Sequence, residues 1–297
     1  MIISSFNGET VLPTQLLALE RQDFDGPFEV LICDNGSTDR TREVAEKWAP
    51  RLPGLRVLEA SEIAGSGFAQ TVGIINAAAP LLAFCDQDDY VLSGWLTAIR
   101  DGLADHDVVT GPLGRVVHDF DKVDPLDVVG TTTFGGPLDN SIEGLQVAPG
   151  GNSGWRRSAA AQGRVDSDTI TSLRATARGI EIGWCDDARV LYRRRPPGSK
   201  VVQRAITSGV WYAEIDREFG GVLYPARAKP ARMVASLCLR FPAAAVRGNL
   251  ADLRWPLGAA IGVILERTLP GFWWGRIRAR RLAGKTDRQV FTTGAGG

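Results

Sequence analysis

Leu81-Leu82-Ala83-Phe84-Cys85-Asp86-Gln87-Asp88-Asp89 is the stretch on which the reading of the chain turns. Five uncharged apolar or small residues run straight into three carboxylates within four positions. The apolar run has the length of a buried strand. The acids come where such a strand leaves the core, on backbone that a sheet holds rigid. Hard divalent cations such as Mg²⁺ or Mn²⁺ bind at carboxylates of this kind, usually shared with substrate phosphates. An acidic turn that merely ends a strand would look the same, so the neighbouring sequence has to decide.

Upstream, Ile2-Ile3 opens a short strand that stops at Ser5-Phe6-Asn7-Gly8. A helix follows, with Pro13 in its first turn and Leu12, Leu16 and Leu19 on one face. Phe28–Cys33 reads as a second strand, ending in the polar turn Asp34-Asn35-Gly36-Ser37-Thr38-Asp39. Thr38 or Ser37 is expected to cap the next helix, which Val44 and Trp48 stripe. Leu55–Leu58 is a third strand. Gly65-Ser66-Gly67 opens a helix expected to bury Val72 and Ile75. After the Leu81–Cys85 strand come a helix around Ser93–Leu103 and a strand at Asp107–Thr110.

This strand–helix alternation predicts a parallel sheet covered by helices on both faces, with ligands bound outside the carboxyl ends of the strands. Three of those ends carry polar sets: Ser4, Ser5, Asn7 and Glu9; Asp34, Asn35 and Asp39; Asp86, Asp88 and Asp89. Their convergence says more than any one set.

Residues 111–150 lose the periodicity and read as irregular loops and short strands on one side of the crevice. Pro149–Arg157 is a glycine-rich approach to a basic pair. Asp166-Ser167-Asp168 precedes a helix that Gly179 ends, and Ile180–Trp184 and Ala188–Tyr192 read as strands. The remainder looks helical. Its apolar tract Trp255–Leu265 is too short to span a bilayer. Phe272-Trp273-Trp274 and Arg276, Arg278, Arg280 and Arg281 follow it. Aromatics beside arginines suit an interfacial membrane contact. They equally suit a helical pair packed on the catalytic domain or on a second subunit.

Composition closes off several classes. Only His106 and His118 are histidines, which leaves little room for histidine bases or ligand sets. Cys33, Cys85, Cys185 and Cys238 form no C-x-x-C pair, so neither a zinc site nor a disulfide framework is expected, and a reduced, cytosolic setting is. Met1–Asn7 lacks the pattern of a signal peptide. A dinucleotide-binding reading would need G-x-G-x-x-G after the first strand, and the chain has none there. Zero net charge hides an asymmetry: residues 201–297 hold 15 Lys/Arg and 6 Asp/Glu (+9), and residues 1–200 the other 19 and 28 (−9).

Taken together, these residues resemble the family 2 glycosyltransferases of the GT-A fold. Ser4-Ser5-Phe6-Asn7-Gly8-Glu9 is similar to the family's P-T-Y-N-x-E, and Asp34–Asp39 matches its D-D/N-G-S-T-D at every position. Asp86–Asp89 stands as its D-x-D-D, and Gly150–Arg157 looks like its G-x-N-x-x-F/W-R-R segment. Asp168 aligns with the acid before the family's L-x-x-R-x-x-x-x-G, here Leu173 to Gly179. The resemblance covers residues 1–220. It implies an α/β GT-A nucleotide-diphospho-sugar transferase fold, a mostly parallel sheet flanked by helices. The catalytic domain would be 1–200, with a nucleotide-sugar half at 1–110 and an acceptor half at 111–200, and 201–297 a helical, basic extension.

The resemblance also implies a chemistry: inverting transfer of one sugar from a nucleotide-diphosphate sugar to a saccharide or lipid-linked acceptor, in cell-envelope glycan synthesis. Asp86 and Asp88 would hold a divalent cation, Mn²⁺ or Mg²⁺. Ser4, Ser5, Asn7, Glu9, Asp34, Asn35, Asp86 and Gln87 would line the donor pocket, and Gly151, Asn152 and Trp155 the acceptor side. Asp168 would be the general base, with Asp166 its near competitor. No nucleic-acid partner is implied. A cytoplasmic protein follows, with room for a peripheral contact on the inner face of the membrane and for a homodimer. The chain departs from the pattern at Gln70, where relatives carry a basic residue, at Ser167 for Glu, and at Arg193 for a histidine. Arg193 would contact the diphosphate or form a structural ion pair. These departures keep a non-catalytic, glycosyltransferase-like binding or scaffold protein in view as the alternative.

Overall fold

The computed structural model describes residues 1–117, 146–160, 168–193, 201–219 and 254–268. The expectations for Asp166, for most of the irregular 111–150 stretch and for the Trp-and-Arg stretch beyond 268 lie outside the described residues. The chain divides into two compact units, with the described residues up to Arg193 in the first and two later helices in the second.

The first unit runs β1 (Ile2–Ser5), α1 (Leu12–Glu20), β2 (Val30–Asp34), α2 (Thr41–Trp48), β3 (Leu55–Glu59), α3 (Ser66–Asn76) and β4 (Leu81–Asp86). It continues with β5 (Tyr90–Val91), α4 (Trp95–Asp105), β6 (Val108–Thr110), β7 (Leu113–Val117), β8 (Asn152–Arg156) and α5 (Arg157–Ala160). The elements α6 (Asp168–Ala177), β9 (Ile182–Trp184) and β10 (Val190–Arg193) complete it. The main sheet has the order β3-β2-β1-β4-β8-β6-β9. The strands from β3 to β4 are parallel, β8 is antiparallel to both β4 and β6, and β9 is parallel to β6. A small sheet, β5-β10-β7, stands beside it.

Both faces of the main sheet are covered, which is why its inner strands read as unbroken apolar runs. Ile3, Ile32, Ala83 and Cys85 face one cluster with Leu12, Leu16 and Leu19 of α1 and Trp95, Ile99 and Leu103 of α4. Ile2, Leu31, Cys33, Leu82 and Phe84 face the other, with Ala69 and Ile74 of α3 and Ala175 of α6. Each such aliphatic or aromatic side chain contributes about 1.5–3 kcal/mol on full burial. Burial also pushes the Cys33 thiol up to about 12 and the Cys85 thiol well above its ordinary range.

Two local expectations are corrected and one strand is added. First, α3 turns Ile74 inward and leaves Ile75 40% exposed, and Val72 is only half-buried. The inward stripe runs through Gly73, whose missing side chain lets the helix approach Ile2 (2.5 Å) and Cys33 (3.0 Å from the Cβ position). Second, neither Ser37 nor Thr38 caps α2, which begins at Thr41 with no side-chain cap at Arg40; Asp39 instead accepts from the Thr41 N–H at 3.0 Å. Third, the glycine-rich approach from Pro149 to Arg157 holds an inner strand, Asn152–Arg156, that was not expected. Gly154 is needed there because a Cβ would lie 2.5 Å from Ile99 Cγ2 and 2.8 Å from Val109 Cγ2, where α4 crosses the sheet.

Asn152 anchors β8. It is fully buried, its Oδ1 accepts from Trp95 Nε1–H at 2.8 Å, and its Nδ2 donates to Pro112 O (3.1 Å) and Ala188 O (2.7 Å). One amide thus joins α4, the approach to β7 and the approach to β10. Truncation would strand an indole N–H and two carbonyls in the interior. Asn152→Ala should lower the unfolding free energy by about 2–4 kcal/mol, read as a fall in the urea midpoint; an unchanged midpoint would refute this anchoring role.

Candidate active site

The polar turns after β1, β2 and β4 lie side by side because their strands are neighbours in register, Ser4 opposite Cys33 and Asp86, and Ser5 opposite Asp34. The first two turns interlock. Asn7 adopts a left-handed conformation (φ 50°), which asparagine tolerates better than most residues. Its N–H donates to Ser37 Oγ at 3.0 Å, and its Oδ1 accepts from the Thr38 N–H at 2.8 Å. The Gly8 N–H donates to Thr41 Oγ1 at 2.7 Å. Then the carboxylates cross over: Asp39 accepts from the Glu9 N–H (3.1 Å), and Glu9 accepts from the Arg40 N–H (2.8 Å).

Those hydrogen bonds hold both acids low. For Glu9 the Arg40 N–H is the main cause, with the Arg40 side chain behind it. For Asp39 burial opposes the shift, and the donors of Thr41 and the Glu9 N–H together outweigh it. The favourable contribution is present above the ordinary carboxylate pKa and is lost as pH falls through the lowered values.

Asp34 is 4% exposed, accepts from the Ser37 N–H at 2.9 Å through Oδ1, and has Oδ2 3.6 Å from Arg42 Nη2. Asn35 is 6% exposed and clamps the next loop: Nδ2 donates to Ala60 O (2.5 Å) and Ile63 O (2.8 Å), and Oδ1 accepts from the Gly65 N–H (2.8 Å). The Asn35 side chain thus shapes the loop that leads into α3. Ser4 Oγ donates to Ser66 O at 3.1 Å, at the start of that helix.

Gln87 ties the β4 turn to the β1 turn. Its Oε1 accepts from Ser5 Oγ (2.6 Å) and the Phe6 N–H (3.1 Å), and its Nε2 donates to Phe6 O (3.0 Å). Gly8 sits against the same amide so closely that a Cβ would overlap Gln87 Oε1.

The D-x-D-D turn is gripped from two sides. Asp86 is half-buried, Asp88 is 7% exposed and Asp89 is fully buried. A Cβ on Gly151 would lie 2.9 Å from Asp86 Oδ2 and 3.2 Å from Asp89 Oδ2, so only glycine leaves these carboxylates where they are. From the other side, the Arg193 N–H donates to Asp89 Oδ1 and the Arg193 Nε–H to Asp88 O, both at 2.9 Å. These are hydrogen bonds from the Arg193 backbone N–H and from its Nε–H to a backbone carbonyl. The sequence placed Asp89 among the strand-end acids but gave no sign that Arg193 would hold it.

The donor set suits a cation that takes most of its ligands from elsewhere. Among the described residues no group of three or more His, Cys, Asp or Glu side chains converges as a self-sufficient metal site. Two carboxylates at a strand end fit an ion such as Mg²⁺, which keeps waters and binds substrate phosphates.

Of the residues expected to line the acceptor side, Asn152 has its side chain engaged in the core. Trp155 is 5% exposed and donates to Ser153 Oγ at 3.2 Å. Its ring lines a small cavity between α3 and α6 with Gln70, Ile74, Phe84, Ser153 and Thr171. Gln70 is thus an inward residue of α3, 9% exposed. Gly151 alone of the expected acceptor set reaches the turn of β4. Asp168 is the first residue of α6; its side chain and Asp166 lie outside the described residues.

The family model described as Glycosyl transferase family 2 matches residues 1–163, more than half of the chain. Glycosyltransferase AglE of Haloferax volcanii is 33% identical over 97 residues, 32% of this chain and 32% of that protein. Poly(ribitol-phosphate) beta-N-acetylglucosaminyltransferase TarS of Staphylococcus aureus is 32% identical over 93 residues, 31% of this chain and 16% of that protein. The match thus spans a third or less of either relative. Two solved structures share the fold. Mannosyltransferase PcManGT of Pyrobaculum calidifontis, in complex with GDP-Man and Mn²⁺, superposes with a TM-score of 0.60 at 17% identity, over 90% of this chain and 86% of that one. TarS 1–349 in complex with UDP-GlcNAc does so with a TM-score of 0.54 at 17% identity, over 90% of each. The interlocked strand-end turns, the D-x-D-D turn and the family match agree: the chain belongs to glycosyl transferase family 2.

Proposed function

We propose that the chain transfers a single sugar from a nucleotide-diphosphate sugar to a saccharide or lipid-linked acceptor, with inversion at the anomeric carbon. The observation that carries this reading is the convergence of the turns after β1, β2 and β4 on one end of the sheet, with Asp86 and Asp88 at its centre. Support comes from the neighbours of the same fold that are described in complex with GDP-Man and Mn²⁺ or with UDP-GlcNAc. In this reading residues 1–200 are the catalytic domain, the donor on the 1–110 side and the acceptor on the 111–200 side. The reaction belongs to cell-envelope glycan synthesis on the cytosolic side of the membrane.

Asp34, at the end of β2, receives the nucleobase, and the Ser4–Glu9 turn lines the same pocket. Asp86 and Asp88 are the residues that would hold Mn²⁺ or Mg²⁺, which when bound neutralises the charge developing on the leaving diphosphate. The acceptor hydroxyl attacks from the far face of the sugar and loses its proton to a carboxylate, Asp168 in this assignment and Asp166 otherwise. The new glycosidic bond forms at the anomeric carbon as its bond to the diphosphate oxygen breaks, and a single direct displacement inverts the centre.

Calorimetry of nucleoside diphosphates and their sugars, with and without Mn²⁺, tests the reading. One base should bind only with metal; no binding of any of them to the folded protein would favour the non-catalytic scaffold. Asp88→Ala should abolish the metal-dependent binding while the thermal transition survives, and unchanged binding would overturn the metal assignment. Gly151→Ala should weaken donor binding about tenfold or more, because its methyl group must displace Asp86 or Asp89; donor titration checks it. Asp168→Asn should keep donor binding and lose transfer by a factor of about 10² to 10⁴. An active Asp168→Asn would move the base to Asp166.

A further inference from the structure

The second unit holds α7 (Val201–Glu218) and a last helix, α8 (Arg254–Thr268). Their contact is built from small residues. A Cβ on Gly209 would overlap the carbonyl of Ala259, and one on Gly262 would overlap the carbonyl of Ile206. One on Gly258 would lie 2.7 Å from both Ala205 Cβ and Val202 O. Gly258 and Gly262 are four apart on α8, as Ala205 and Gly209 are on α7, so each pair occupies one face of its helix. The two backbones therefore touch, and Ala259, Ala260 and Val263 fill in around them, each less than 5% exposed.

Three large aliphatic residues of α8 are on the opposite side. Leu257, Ile261 and Ile264 are 48%, 36% and 42% exposed and fall on a single stripe at i, i+4 and i+7. Glycine and alanine inside with leucine and isoleucine outside is the reverse of a helix that faces water. It is the arrangement of helices whose surroundings are lipid, where close backbone packing holds the pair together. Yet α8 has 15 residues, about 22 Å, and is shorter than the hydrocarbon layer; among the described residues no helix is long and apolar enough to cross a membrane. The partner that fits is a surface, met side-on.

We propose that the Leu257–Ile261–Ile264 face of α8 rests on an anionic lipid surface. Charge selects this occupant over a second copy of the chain. Residues 201–297 carry a balance of +9, and the sequence just beyond α8 adds Phe272-Trp273-Trp274 and Arg276, Arg278, Arg280 and Arg281. Two copies of so basic a segment repel, whereas acidic headgroups attract it and tryptophan favours the headgroup layer. The contact is separate from the transfer chemistry and stands whether or not the sugar-transfer reading holds.

Flotation of the full chain with vesicles tests it, using phosphatidylcholine mixed equally with phosphatidylglycerol, and phosphatidylcholine alone. The wild type should float with the mixed vesicles only. The triple variant Leu257→Gln, Ile261→Gln, Ile264→Gln should lose about tenfold or more of that binding. Circular dichroism checks that the helices persist, and the single variant Ile261→Gln replaces the triple should they not. Equal flotation of the variant, equal flotation on neutral vesicles, or none by the wild type would each overturn the proposal. So would a dimer, seen by light scattering, that the variant converts to a monomer. Nucleotide-sugar hydrolysis in vesicle-free solution reads the transferase assignment separately.

Discussion

Crowding three carboxylates into four residues at one strand end is electrostatically costly, and much of the first unit can be read as the answer to that constraint. Two like charges about 4 Å apart repel by roughly 4 kcal/mol where the effective dielectric constant is near 20. The turn after β4 meets this with structure from far along the chain. Arg193 closes β10 by placing its own N–H on Asp89 and its guanidinium on the Asp88 carbonyl. Gly151 approaches from β8 without a side chain and leaves the acids their room. The second half of the unit thus completes a feature that the first half begins. The antiparallel insertion of β8 between β4 and β6 brings Gly151 there, and Asn152, one residue on, fastens that strand to three other elements.

The sequence carried the sheet well, because buried parallel strands announce themselves as uncharged apolar runs and the helices between them as stripes. It carried the three polar turns for the same reason, since each begins where a run stops. What it hid follows from distance along the chain. Whether Ile74 or Ile75 faces inward depends on where Gly73 lets α3 touch Ile2, and no local period reveals that contact. The stretch around Asn152 does not read as a strand because glycine weighs against one in isolation; here glycine is what the crossing of α4 requires. The resemblance implied an acceptor contact for Asn152, while the partners of its side chain, Trp95, Pro112 and Ala188, lie 36 to 57 residues away. Polar residues that build a site from beneath and polar residues that touch its ligand have the same composition. Only their hydrogen-bond partners separate them.

The interlock of the first two turns has a consequence for how this signature is used. In Asp34-Asn35-Gly36-Ser37-Thr38-Asp39, every polar side chain has work inside the protein. Asp34 folds its own turn, Asn35 clamps the loop before α3, Ser37 and Thr38 receive Asn7, and Asp39 meets Glu9 and Thr41. A descendant that had given up transfer would still need these bonds to fold, and purifying selection for solubility alone would preserve the six letters. The string is thus a marker of ancestry and architecture. Erosion of catalysis in this lineage would show first at positions whose side chains the fold does not use.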